Sequence, residues 1–225
     1  MEQDGTLVLL DAHALIHRAY HAIQTDLLSP AGEPTKAVYG FTSTLLKVLK
    51  DIQPRYVGAA FDVGRSTRAD RFPAYKATRP RLPEDLAAQI RRVRGLVALF
   101  GIPVFALEGY EADDLLGTLA AQASAGAVRT IIVTGDTDAF QLIDAHTQVL
   151  TFTQRFGDMV LYDEAQVKER YGFAPVQLID FKALRGDASD NIPGVPGIGD
   201  KTATRLLQAH GSVEGILAHL DAIDD

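Results

Sequence analysis

The chain has 225 residues, 47% of them apolar and 23% charged, which describes a globular protein and excludes a disordered or fibrous one. It contains no cysteine, so disulfides and thiolate metal sites are excluded. No basic leader with an apolar run opens it, and no apolar stretch approaches the length of a membrane span, so the sequence reads as cytoplasmic.

A net charge of −7 argues at first against a polyanionic partner. The average hides an asymmetry. Between Arg65 and Arg94 nine basic residues stand against three acidic ones.

In chain order, TLVLLD (6–11) is a short apolar run ending in Asp, followed by a helical pattern over 13–23. A long loop (24–35) leads to a second helix, 36–51. YVGAAFD (56–62) repeats the run-then-acid pattern, and a second long loop (63–83) carries the basic cluster. A helix over 84–100 precedes IPVFALEG (102–109), and one over 112–124 precedes RTIIVTGD (129–136). Strands alternating with helices of this length predict βαβ units and an α/β fold with a mainly parallel sheet. A short helix, a hairpin near 147–162 and helices over 163–171 and 175–185 follow. A Gly/Pro-rich turn then leads to helices over 201–209 and 212–221. This divides the chain into an α/β core, 1–170, and a helical element, 171–225.

In an open parallel sheet ligands bind beyond the carboxyl ends of the strands. Asp11, Asp62, the Glu111/Asp113/Asp114 group, Asp136 and Asp138 sit just past such ends, and Asp187 and Asp190 of RGDASDN add two more. Helix capping accounts for one or two of these acids, not for nine with no obvious local basic partner. Convergent carboxylates need a compensating cation, and all-oxygen ligation points to Mg²⁺, or Mn²⁺ in its place. Nine acids exceed what one ion needs. Two ions suit phosphodiester hydrolysis. Removing nine negative charges turns the net −7 into +2, so the remainder is mildly basic. His13, His17 and His21 share helical spacing but lack an acid or Cys at ligand spacing, and are read as bordering the cleft rather than binding zinc.

IPGVPGIGDKTATRLL (192–207) places Gly194, Gly197 and Gly199 before a helix that carries Lys201 in its first turn, the pattern of a helix–hairpin–helix clamp on a DNA backbone. RSTRADRFPAYKATRPRLP (65–83) reads as a phosphate-gripping segment with Tyr75 among its arginines. Lys76 and Arg79, three apart, would share a face on a helical turn and both reach a scissile phosphate.

Together LLDAH, AAFD, YKATRP, GYEADD, VTGDTDAFQL and RGDASDNIPGVPGIGDKTA, in this order, resemble the 5′-nuclease superfamily, most closely the N-terminal 5′→3′ exonuclease domain of bacterial DNA polymerase I. The resemblance covers about 6–221. It implies a nuclease core of the PIN-like kind with a C-terminal helix–three-turn–helix element, and a metal-dependent 5′→3′ exonuclease and 5′-flap endonuclease. It makes the nine acids metal ligands, places Lys76 and Arg79 in an arch over the site, and has Arg18 and Arg68 contact phosphates. It implies a K⁺ ion at the Gly194–Lys201 turn, DNA bearing a 5′ flap, nick or RNA primer as partner, a bacterial nucleoid setting and a monomer. Ala12, His17 and Thr67 depart from the family pattern, which commonly has Gly, an aromatic and Phe there. The family's nuclease domain also runs on beyond the equivalent of Asp225, into a polymerase in polymerase I, so the chain reads as a fragment or a short nuclease. Two other readings remain at this point: a non-catalytic DNA-binding module, and a haloacid-dehalogenase-like phosphatase that would use TGDTD and RGDASDN.

Overall fold

The structure, a computed structural model, describes residues 5–153 and 158–222. Strand β1 (Leu7–Asp11) runs into helix α1 (Ala12–Ala22), and α2 (Lys36–Ile52) leads to β2 (Tyr56–Ala60). The short α3 (Arg68–Arg71) lies in the basic loop, followed by α4 (Glu84–Leu99), β3 (Val104–Phe105), α5 (Ala112–Ala125) and β4 (Thr130–Val133). A 3₁₀ helix (Thr137–Leu142) precedes the hairpin strands β5 (Thr147–Phe152) and β6 (Met159–Tyr162). Helices α6 (Glu164–Tyr171), α7 (Leu178–Arg185), α8 (Asp200–His210) and α9 (Val213–Leu217) complete the elements used below.

The six strands form one sheet in the order β3-β2-β1-β4-β5-β6, parallel except for β6. Side chains alternate across it. Leu9 and Ile132 enter one apolar cluster, while Val8, Leu10, Ile131 and Val133 enter the other. The second cluster is closed by α1, α2 and α4, and the first by α5 to α9. Burial on both faces explains the continuous apolar runs of β1 and β4. Phe173, Phe181, Leu184 and Leu207 of the helical segment pack in the same cluster as Ile132 and Phe140. The helical segment is therefore anchored to the sheet through one continuous core.

Two backbone approaches set the site's surroundings. At Gly40 a Cβ would come within 2.5 Å of the Ala19 Cβ, so α2 lies directly against α1. Gly194 has φ +66°, and a Cβ there would overlap the backbone of Arg185 and Gly186, which fixes the Gly/Pro-rich turn against the end of α7.

The expected strand over 102–109 pairs only at Val104 and Phe105, because the chain leaves the sheet edge for a turn at Gly109, φ +85°. The hairpin near 147–162 is present as β5 and β6, and 154–157 lie outside the described residues. Helix α9 is shorter than the expected 212–221, with a 3₁₀ turn at Leu220–Ala222. Among the described residues no helix is long and apolar enough to cross a membrane.

Candidate active site

The parallel strands deliver three acids to one rim: Asp11 ends β1, Asp62 lies two residues past β2, and Asp136 three past β4. The N-terminus of α5 brings Glu111, Asp113 and Asp114, the 3₁₀ helix brings Asp138, and the loop after α7 brings Asp187 and Asp190. Asp113, Asp114 and Asp138 line one depression of about 430 Å³. Asp136 lines a neighbouring groove of about 650 Å³ with His17, Arg18, His21 and Ser189.

Capping claims more of these acids than the sequence suggests. Asp11 Oδ1 accepts the Ala14 N–H at 3.0 Å and caps α1, while its Oδ2 takes the Thr134 hydroxyl at 2.6 Å. Asp136 accepts the Asp138 N–H at 2.9 Å, Asp114 accepts the Glu111 N–H at 2.9 Å, and Asp62 accepts the Ala112 N–H at 2.7 Å. Each bond to a helix N-terminus fixes a carboxylate's direction without neutralising it.

The acids divide into two groups. The outer ones have cations: Arg68 grips Asp114 with two bonds of 2.7 and 2.6 Å, and Lys76 meets Glu111 at 2.6 Å beside the Tyr75 hydroxyl at 2.9 Å. Arg79 meets Asp190 at 2.7 Å, and Lys182 touches both Asp138 and Asp187. The expectation that the nine acids lack local basic partners is therefore corrected, because loop 63–83 folds back onto the rim. Lys76 and Arg79 close a single turn outside any helix, with the Arg79 N–H on the Lys76 carbonyl at 3.1 Å. Lys76 has φ +54°, its N–H donates to the Asp190 carbonyl, and the two cations reach different acids.

The inner acids have no such partners. Among the described residues Asp11, Asp113 and Asp136 form no ion pair with Lys or Arg. Asp62 has His13 Nδ1 at 3.6 Å, but that nitrogen accepts the Asp62 N–H, and burial holds the imidazole below its ordinary pKa. A ring that accepts through Nδ1 offers the Asp62 carboxylate no proton at that nitrogen. Burial first, then the charges of Asp11, Asp136 and Asp62, raise Asp113 to about 7. Burial first also raises Asp11, to about 6, against the bonds from Thr134 and Ala14.

Among the described residues no three Asp, Glu or His side chains stand close enough to ligate one ion as placed. The donor chemistry nonetheless fits a hard divalent cation. Crowded carboxylates with no Lys or Arg counter-ion, two of them, Asp11 and Asp113, with raised pKa values, are oxygen donors whose charge remains to be neutralised.

Residues 6–172 match the family model "5′-3′ exonuclease, N-terminal resolvase-like domain", and 173–225 match its "C-terminal SAM fold". The chain belongs to the 5′–3′ exonuclease family. It is 47% identical over 220 residues to the DNA polymerase I of Chloroflexus aurantiacus, a match covering 96% of this chain and 23% of the relative. With the DNA polymerase I of Bacillus subtilis it shares 41% identity over 224 residues, covering 99% and 25%. The chain thus spans about a quarter of these relatives' length. Among solved structures the fold resembles T5 5′-exonuclease with bound zinc, at TM-score 0.78 and 24% identity over 98% of this chain and 81% of that one. It also resembles the bacteriophage T5 D15 flap endonuclease in a complex with DNA and metal ions, at TM-score 0.77 and 23% identity over 96% and 79%. The 5′ nucleases are metal-dependent phosphodiester hydrolases. The phosphatase reading falls with this match, and RGDASDN follows helix α7 rather than a strand.

The expected DNA-contacting residues differ in their present partners. Arg68 is turned inward onto Asp114, whose two bonds hold its guanidinium above its usual pKa. Arg18 donates to the Thr153 carbonyl at 3.2 Å and lies over the Phe152 ring. Lys201 is exposed in the first turn of α8, beyond Gly197 and Gly199, where added Cβ atoms would meet open space. His13, His17 and His21 stack along α1 with centroids 6.5 and 6.3 Å apart; His17 and His21 line the groove, while His13 lies against Asp62. Glu108 is exposed.

Three polar residues escape a reading of the sequence. The Thr134 hydroxyl holds Asp11, Asn191 ties the basic loop down by donating to the Ala74 carbonyl at 2.8 Å, and Lys182 bridges Asp138 and Asp187. Lys182 precedes RGD by one turn, the only local signal of its role. Thr134 and Asn191 give none.

The inner acids also set a pH dependence. Asp11 and Asp113 have folded-state pKa values of about 6 and 7, above the ordinary value of 3.8, so the fold is favoured when they are protonated. That contribution is complete below about pH 4 and is lost as pH rises through 6 and 7. In chelator the unfolding midpoint is expected to fall between pH 5 and 8 by a few degrees, about 1–3 kcal/mol. Saturating Mg²⁺ should flatten or reverse this trend. Scanning calorimetry at several pH values checks it, and a midpoint that rises with pH in chelator would contradict the assignment.

Proposed function

We propose that this chain is a Mg²⁺-dependent 5′→3′ exonuclease and 5′-flap endonuclease that removes flaps or primers from duplex DNA. The observation that carries this reading is the group of uncompensated acids, Asp11, Asp62, Asp113 and Asp136, beside a loop that presents Lys76 and Arg79. Asp11, Asp62, Asp113 and Asp136 would hold one ion, and Glu111, Asp114, Asp138, Asp187 and Asp190 would complete a site for two or more, with Mn²⁺ able to replace Mg²⁺. Such ions offset phosphate charge and lower the pKa of water, the two requirements of phosphodiester hydrolysis.

The chain's own residues supply position and charge. A phosphate at the rim competes with Glu111 and Asp190 for Lys76 and Arg79, which exchange a carboxylate for the phosphate oxygens and stabilise the charge that grows there. Tyr75, beside Glu111, offers a ring at the same mouth. The N-terminus of α8, with Gly197, Gly199 and Lys201, presents N–H groups and a charge to the duplex backbone, and residues 171–222 act as the duplex clamp. Carbonyls of the Gly194–Lys201 turn would hold K⁺. Arg18 and Arg68 are available to phosphates once their present partners release them. The polymerase I relatives support a larger parent chain acting in replication or repair, in the bacterial cytoplasm.

A non-catalytic DNA binder gains nothing from acids facing phosphates, so the catalytic reading is preferred. Incubating the full chain with 5′-flap, 3′-flap and single-stranded DNA in Mg²⁺, and sizing 5′-labelled products, tests it. Release of a fragment about the length of the 5′ flap is expected. Equal attack on the 3′ flap, or tight binding without products, would overturn it.

A further inference from the structure

We infer that Lys182 is a resident cation of one half of the acid rim, and that it sets how tightly that half takes a divalent ion. The inference rests on the metal-dependent reading above and concerns a residue that reading does not use.

Lys182 lies in the last turn of α7, and its Nζ touches Asp138 and, at 2.6 Å, Asp187 Oδ2. The first acid comes from the 3₁₀ helix after β4 and the second from the loop after α7, so one ammonium joins the sheet's rim to the clamp segment. The three side chains are only 26%, 26% and 11% exposed, so water screens the group weakly. Asp187 is further fixed by the Ser189 N–H at 2.9 Å and the Ser189 hydroxyl at 2.7 Å.

The two halves of the rim therefore differ in kind. An ion entering among Asp11, Asp62, Asp113 and Asp136 meets carboxylates without Lys or Arg partners. One entering beside Asp138 and Asp187 must displace an ammonium or sit against it, while Arg79 occupies Asp190 close by. Like charges at such short range repel strongly in a weakly screened site. The lysine stem is flexible enough to withdraw, so the displacement lowers affinity without blocking the site. Before an ion arrives, Lys182 holds Asp138 and Asp187 near one another. It acts through these acids and is a positioning residue.

Mn²⁺ titration of the full chain without DNA, followed by calorimetry and electron paramagnetic resonance, tests this. Wild-type protein is expected to show a tight and a weak class of site. Lys182→Met should tighten the weak class about tenfold or more and leave the tight class unchanged. Lys182→Gln, which removes the charge but keeps a polar head, should do the same, whereas Lys182→Arg should stay near wild type. An unchanged weak class in both neutral variants, or equal weakening in all three, would overturn the inference. Absence of Mn²⁺ binding by the wild type would instead overturn the metal-dependent reading itself.

Discussion

Replacing Asp113 by Asn is expected to abolish Mg²⁺-dependent flap cleavage, by well over about 100-fold, while making the metal-free protein more stable. Asp113 is the acid most crowded by its neighbours, raised to about 7 by burial and by Asp11, Asp136 and Asp62, and no basic side chain pairs with it. A residue whose charge is costly in the folded chain belongs to a function rather than to the core. Losing even an outer-shell partner of a metal ligand costs about 10–100-fold, so loss of an inner carboxylate should exceed that. The stability gain follows from the same repulsion. At pH 8 in chelator the Asn variant should unfold a few degrees higher, about 1–3 kcal/mol, and at pH 5 the difference should shrink because Asp113 is then protonated. Single-turnover cleavage and scanning calorimetry on one preparation check both halves. A variant that cleaves normally, or that is less stable at pH 8, would show that Asp113 is an ordinary helix-start acid.

Removing the Lys76 charge, as in Lys76→Met, is the second large effect expected. Lys76 sits at φ +54° on the folded-back loop, with its N–H on the Asp190 carbonyl and its ammonium on Glu111, beside the Tyr75 ring. A non-glycine residue in the left-handed region costs energy, which suits a position defined by function. Its single-turnover rate should fall about 100- to 1000-fold, the scale of losing one preorganised charge donor to a developing oxyanion. Glu111 then loses the strongest of the bonds that hold it below its ordinary pKa against burial. A loss of about 1 kcal/mol of stability should accompany the change. A rate within a few fold of wild type, with the stability loss intact, would make Lys76 a latch on Glu111 and nothing more.

The strand ends were the most legible part of this chain. Asp11, Asp62 and Asp136 each follow an apolar run, and a parallel sheet must carry such residues to one edge. The α5 acids were equally plain, since Glu111, Asp113 and Asp114 open a helix whose first apolar residues follow at once. The charge pattern among them was not legible. Arg79 lies 111 positions from Asp190, and Lys182 44 from Asp138, distances at which spacing carries no information. The path of loop 63–83 depends on single backbone features, such as the positive φ of Lys76 and the bond from Asn191 to Ala74, that no periodicity announces. The spacing of Lys76 and Arg79 therefore announced their shared turn but not the acid each one meets. Capping misled, because a carboxylate can hold a helix N-terminus and still carry an uncompensated charge, as Asp11 and Asp136 do.

The central claim is that the inner acids exist to hold a divalent ion against a phosphate. Single-turnover cleavage of a 5′-labelled flap duplex by the full chain, in Mg²⁺ and in excess chelator, tests it most directly. Cleavage in Mg²⁺, none in chelator, and restoration by added Mg²⁺ or Mn²⁺ is the result expected. Cleavage that persists in chelator, or none in either ion by correctly folded protein, would contradict it.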